Sequence, residues 1–135
     1  MSNIDTALAK AQQEVPECVA VGLVDMSTGM LLGVKTLDSH PQEVLDLVAA
    51  ATADLFQGAS VTTIEKLFRK SRGQPENGHH YFKEIIVFSD NLLHLFMRSK
   101  KNTSHAAVFV TRASVNIGMA LSRARITMGE LEKVL

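Results

Sequence analysis

Ala106-Ala107-Val108-Phe109-Val110 runs through Thr111-Arg112-Ala113 into Ser114-Val115-Asn116-Ile117-Gly118-Met119-Ala120, and this stretch decides the fold. Its first part is an apolar, β-branched strand over 105–111. A short turn follows, and a helix begins after Ser114. Downstream, Ile117, Leu121, Ala124, Met128, Leu131 and Leu135 step by 4, 3, 4, 3 and 4, which predicts one narrow helical seam. Gly118 costs helix stability, about 1 kcal/mol relative to alanine. Its place near the helix start predicts close packing against a sheet. Gly129 marks a fraying last turn.

Upstream lie two more strands, 81–89 and 92–98, with Asp90-Asn91 as the hairpin turn and 99–104 as a polar loop. At the other end, Ile4, Leu8, Ala11 and Val15 predict a helix over about 4–14, capped by Ser2 or Asn3 and stopped by Pro16. Cys18 to Val24 is a short apolar run with little alternation, the mark of a strand covered on both faces. Asp25 and Gly29 make a turn, and 30–35 returns as the second strand.

The central helix is expected from His40 or Pro41 to Gln57, with Ser39 as N-cap and Gly58 as terminator. Val44, Val48, Ala51 and Leu55 form one apolar stripe; Leu45, Ala49, Thr52 and Phe56 form a second beside it. Together they span roughly 200°, where about 100° suffices to cover a sheet. The helix therefore has a second apolar neighbour, either a partner subunit or another helix of the same chain. Thr62 and Glu65 have capping-box spacing and predict such a helix over about 61–71. A loop, 73–78, follows.

The order is α-β-β-α-(α)-β-β-β-α in one domain, an α+β fold. Its hairpin-joined strands give a five-stranded antiparallel sheet. The central helix lies on one face, and the first and last helices on the other.

Composition narrows the function classes. An apolar fraction of 46% with 21% charged residues suits one globular domain with an ordinary core. Formal net charge is zero, so no global field draws in nucleic acid or an anionic membrane. The charges are unevenly placed. Residues 1–60 carry 2 Lys/Arg against 8 Asp/Glu, and residues 61–135 carry 12 against 6. Either the halves neutralise each other on folding, or two surfaces of opposite sign exist and one docks a charged partner. A single cysteine, Cys18, allows no intramolecular disulfide and is expected as a small buried hydrophobe, consistent with a reducing, cytoplasmic setting. The first residues lack the basic start and apolar run of a signal peptide. No apolar stretch is expected to approach the roughly 20 residues that span a bilayer.

Catalytic signatures are missing: no His-Glu-x-x-His, Cys-x-x-Cys or Gly-x-Ser-x-Gly occurs. Gly73 to Gly78 has P-loop glycine spacing, but His79 and His80 stand where Lys and Ser/Thr are required. No cofactor, metal or catalytic residue is expected. The pair His79-His80 is a poor chelate, because neighbours on extended chain point to opposite sides. Lys66, Arg69, Lys70 and Arg72 form a basic run. It is read as a solvated helix end, or as a patch for an anionic protein partner. It lacks the interleaved aromatics of a nucleic-acid surface.

Three sets of residues together resemble the Roadblock/LC7 family. Val21-Gly22-Leu23-Val24-Asp25 through Gly29 and Leu31 looks like that family's first hairpin. The Ala49-Ala50-Ala51 helix looks like its central helix. Val108 to Arg112 leading into Asn116-Ile117-Gly118-Met119-Ala120 looks like its last strand and final helix start. Residues 58–80 depart from the family pattern as an insertion. The resemblance implies homodimers that pair third strands edge to edge and pack central helices together. It places the interface at Val44, Leu45, Val48, Ala51, Thr52, Leu55, Phe56, Tyr81, Phe82, Ile85, Ile86 and Val87. It further implies a non-enzymatic module that regulates or scaffolds a small Ras-like GTPase. The alternatives are a scaffold subunit of a larger motor-like or signalling assembly without GTPase contact, and a small-ligand sensing domain. The apolar filling of the chain and the lack of convergent polar residues speak against the last.

Overall fold

The computed structural model describes residues 3–38, 42–75 and 80–135. Its elements are α1 (Asn3–Glu14), β1 (Cys18–Asp25), β2 (Met30–Thr36), α2 (Gln42–Gln57), α3 (Ala59–Ser71), β3 (Glu84–Phe88), β4 (Leu92–Arg98), β5 (His105–Arg112) and α4 (Ile117–Glu132). The expected caps Ser2 and Ser39, with His40, Pro41 and the loop positions 76–79, lie outside the described residues. The strands form one antiparallel sheet in the order β2-β1-β5-β4-β3. β5 is its central strand. Ala106, Ala107, Val108 and Phe109 are all buried because both faces of that strand are covered.

Two apolar layers hold the fold together. On one face, Leu8 and Ala11 of α1, Val15 just after it, and Ala120, Ala124, Met128 and Leu131 of α4 pack on Val21, Leu23, Leu95 and Phe109. On the other, Ala49 and Phe56 of α2 pack on Val24, Phe96, Ala106 and Val108. Each large side chain so buried contributes about 1.5–3 kcal/mol. The expected placement of the helices on the two faces is thus observed.

Local chemistry sets the boundaries. Asp25 accepts from the Ser27 amide at 3.0 Å, and Gly29 takes φ 72°, closing the β1–β2 turn. Asn116 caps α4, its Oδ1 accepting from the Met119 amide at 3.0 Å. Glu132, at the far end of α4, accepts from Ser99 Oγ at 2.6 Å and the Lys101 amide at 2.8 Å, which orders the loop after β4.

Three expectations are corrected. α3 begins at Ala59 rather than 61, with Gly58 as its N-cap and no side-chain cap. Thr62 lies inside the helix, and Glu65 turns inward instead of closing a capping box. β3 begins at Glu84 rather than Tyr81. The Tyr81 amide is taken by Glu65, and the Lys83 carbonyl accepts from the Arg98 amide at 2.8 Å. Gly118 packs against no sheet residue: a Cβ there would meet only Asn116 Oδ1 at 3.4 Å. The close approach is made by Ala120 and Ala124, both fully buried. A tight glycine is found elsewhere, at Gly33, where a Cβ would lie 2.9 Å from Ile4 Cγ2 and 3.0 Å from Leu8 Cδ1.

Candidate functional site

The two stripes of α2 separate cleanly. Ala49, Thr52 and Phe56 are fully buried against the sheet, with Leu45 half-buried beside them. Thr52 also donates its hydroxyl to the Val48 carbonyl at 2.8 Å, so it leaves no polar group unpaired. Thr52 and Phe56 therefore belong to the core and not to the free face, a correction to the interface expected from sequence. The other stripe is open. Val48 is 43% and Leu55 37% exposed, Ala51 is exposed, and Leu47, which sequence reasoning did not single out, is 64% exposed. The Val44 side chain lies outside the description.

β3 is an edge strand, paired only with β4. Ile85 and Val87 stand opposite Phe96 and His94 on the α2 face, while Ile86 stands opposite Leu95 on the α4 face. Ile85 packs on the Phe56 cluster, which sets this open edge beside the end of α2. Ile86, Val87 and Phe88 are exposed, as is Phe82 just before the strand; Tyr81 is half-buried. An apolar edge with unpaired backbone groups invites a further strand. Ile85, Val87 and the open stripe of α2 lie on one side of the sheet, and Ile86 on the other.

A buried polar group fixes this corner. Arg98 donates from Nε to the Phe82 carbonyl at 2.9 Å and from Nη2 to the Phe56 carbonyl at 3.0 Å. Its Nη1 reaches Gln57 Oε1 at 3.1 Å and the Thr103 carbonyl at 3.3 Å. Its guanidinium lies 5.1 Å from the centre of the Phe56 ring. Glu65, 2% exposed, accepts from His80 Nδ1 at 2.8 Å and from the Tyr81 amide. Burial works against ionising Glu65, but the His80 and Tyr81 bonds and the His80 and Arg98 charges outweigh it and hold its carboxyl below the usual range. Neither Arg98 nor the inward turn of Glu65 was found by sequence reasoning. The one signal is an arginine ending an otherwise apolar strand.

The expected basic patch is divided. Lys66 and Lys70 are exposed, and Arg72 lies over the Phe68 ring at 5.8 Å. Arg69 is buried, 4.9 Å from the Tyr81 ring centre, and is no part of a solvated surface.

The remaining candidates are placed as follows. His80 bonds Glu65, and His94 Nε2 lies 3.0 Å from Ser89 Oγ, with burial lowering the His94 pKa. His79 lies outside the described residues, and among those described no three His, Cys, Asp or Glu side chains converge on a metal-sized site. Cys18 is buried, its thiol pushed up to about 11 by that burial. A half-open cleft of about 790 Å³ lies over Ala20, Gly22, Val108 and Val110, with Asp38, Asp90, His94 and Arg112 among its lining residues. The filling expected from sequence is thus incomplete on the α2 side. α2 and α3 read together, Leu45–Ser71, form one helical run long and apolar enough to cross a membrane by length and composition, closer to that limit than expected. Insertion would strip Ala49, Thr52 and Phe56 from the sheet they cover.

No protein-family profile and no curated protein sequence matches the chain. Solved structures do. A Roadblock/LC7 domain from Streptomyces avermitilis matches with a TM-score of 0.68 at 15% identity, over 98% of this chain and 97% of that one. MglB of Myxococcus xanthus matches with a TM-score of 0.70 at 16% identity, over 99% and 95%. An MglB described in a tetrameric arrangement matches with a TM-score of 0.71 at 16% identity, over 97% and 86%. With its antiparallel β2-β1-β5-β4-β3 sheet between α2 and the α1/α4 pair, the chain has the Roadblock/LC7 fold.

Proposed function

We propose that this protein is a non-enzymatic, homodimeric binding module that regulates or scaffolds a small Ras-like GTPase in the cytoplasm. One observation carries the self-association: an unpaired apolar edge, β3, stands at the end of an α2 helix whose Leu47, Val48, Ala51 and Leu55 remain exposed. A second copy paired through β3 and packed through α2 would satisfy both the edge amides and the apolar stripe. Similarity to a tetrameric MglB supports assembly of like copies. The GTPase reading rests on the Roadblock/LC7 resemblance together with the exposed apolar residues of α2 and β3.

Two measurements test it. Sedimentation of the chain at high micromolar concentration gives a dimer if the self-association is right, and a monomer throughout if it is wrong. Affinity capture from lysate of its own source, with GTP analogue or GDP present, retains a small GTPase in one nucleotide state if the regulator reading is right. A dimer that captures other proteins and no GTPase in either state selects the scaffold reading. The 790 Å³ cleft favours a second activity, small-ligand sensing, and a metabolite panel that raises the melting temperature would select it.

A further inference from the structure

The cleft on the α2 side is built by the register of the sheet. Val24, Ala106 and Val108 pack under α2, so alternation turns Ala20 and Gly22 of β1 to the same face. Their sheet partners on that face are Thr36 and Val34 on one side and Val110 and Val108 on the other. Two small residues thus lie between larger ones. A Cβ at Gly22 would meet only ordinary contacts, at 3.6 Å and beyond. Ala49 and Phe56 fill the face further along, and the part over Ala20 and Gly22 stays open, with Leu31, Val34 and Leu45 among its walls.

Charge gathers at one end of this cleft. β2 and β5 end there, and β1 and β4 begin there, because the strands are antiparallel. Asp38 follows β2, Arg112 closes β5 and Asp90 precedes β4, and all three line the cleft. In the order β2-β1-β5-β4, Arg112 stands between the two aspartates. Each of the three is exposed, and none makes an ion pair or a side-chain hydrogen bond among the described residues. The nearby Glu17 carboxylate is already held by Ser114 Oγ at 2.7 Å.

We infer that the cleft binds a small zwitterion with an apolar body, the chemistry of a free apolar amino acid, its carboxylate on Arg112, its ammonium toward Asp38 and Asp90, and its side chain over Ala20 and Gly22. This rests on the small-ligand reading of the cleft given above and names the ligand. A simple anion on Arg112 would face two unpaired carboxylates, and a simple cation would face the guanidinium. A ligand carrying both signs matches all three groups. The volume, about 790 Å³, is that of small-molecule sites. Its apolar floor should add about fourfold in affinity for each methylene it buries.

The test is calorimetric titration of the full chain with norleucine, hexanoate, pentylamine and alanine. Norleucine is expected to bind, and the other three at least about tenfold more weakly, since each lacks one charge or the apolar chain. Arg112→Met should weaken norleucine about tenfold or more without weakening pentylamine. Asp38→Asn with Asp90→Asn should weaken norleucine without weakening hexanoate. Ala20→Leu should fill the floor and abolish binding with no fall in melting temperature, and melts verify that every variant folds. Hexanoate or pentylamine binding as tightly as norleucine would overturn the zwitterion while the small-ligand reading stands. So would a chain that ignores norleucine but is stabilised by another compound of the metabolite panel. A chain that binds nothing removes both. Norleucine binding that survives Ala20→Leu and Arg112→Met lies elsewhere on the protein and also overturns the inference.

Discussion

Replacing Arg98 by methionine keeps most of the side chain's apolar bulk and removes its fork of donors. Four hydrogen bonds are lost. The one to the Phe56 carbonyl is fully buried, and those to Phe82, Gln57 and Thr103 are partly so. A bond from a charged donor contributes about 1.5–3 kcal/mol when buried, and less where water can replace the donor. Taking the Phe56 bond in full and the other three at about 0.5–1 kcal/mol each gives a loss of about 3–6 kcal/mol. A protein of this size is stable by about 5–15 kcal/mol, so the effect is large. With a urea slope near 2 kcal/mol/M, the unfolding midpoint should fall by about 1.5–3 M with the slope unchanged. Equilibrium urea unfolding followed by far-ultraviolet circular dichroism measures it. Arg98→Lys keeps the charge but not the planar fork and should recover only part of the loss. A loss below about 1 kcal/mol for the methionine variant, or a lysine variant as stable as wild type, would refute the reasoning that the fork ties α2, the β3 approach and the β4–β5 loop together.

Ala51→Glu places a charge on the open α2 stripe and should abolish self-association while leaving the melting temperature of the monomer within a few degrees; a folded, dimeric variant would remove α2 from the interface. The depressed pKa of Glu65 contributes stability that is present above its unfolded value and is lost as pH falls through the folded one, so wild type should lose stability progressively below about pH 4.5. Glu65→Gln should flatten that part of the profile in pH-dependent melts, and an unchanged profile would show that the carboxylate is not what titrates. Gly33→Val drives a side chain into Ile4 and Leu8 and should cost about 1–3 kcal/mol, read as a lower urea midpoint. Asn116→Ala removes the α4 cap and should cost about 1 kcal/mol, with Asn116→Asp close to wild type.

Much of this architecture was legible in the sequence because burial on both faces leaves an uninterrupted apolar run, as in β5, while burial on one stripe leaves a period, as in α4. The over-wide arc of α2 was legible for the same reason. What periodicity does not carry is direction. Val48 and Thr52 belong to adjoining stripes of similar character, and only the sheet decides which turns home. The polar corner was illegible for another reason. Arg98 finds Phe56 and Gln57 more than 40 residues away, and Glu65 finds His80 and Tyr81 across the helix end, distances at which spacing rules say nothing. Arg69 read as a surface base because its neighbours are charged, yet the Tyr81 ring draws it inward. Gly118 and Gly33 exchanged roles: helical position marked the first as tight, but the crossing of α1 over β2 makes the second so.

The pairing of α1 with α4 has a practical side. Asn3 and Val134 line the same small cleft between those helices, so both ends of the described chain emerge together on the side of the sheet away from α2. Fluorophores, affinity handles or surface tethers attached at either end will point away from α2. A chip-bound or tagged chain can therefore be presented with that face unobstructed, and two ends joined by a short linker would leave the sheet's connectivity free to be opened elsewhere.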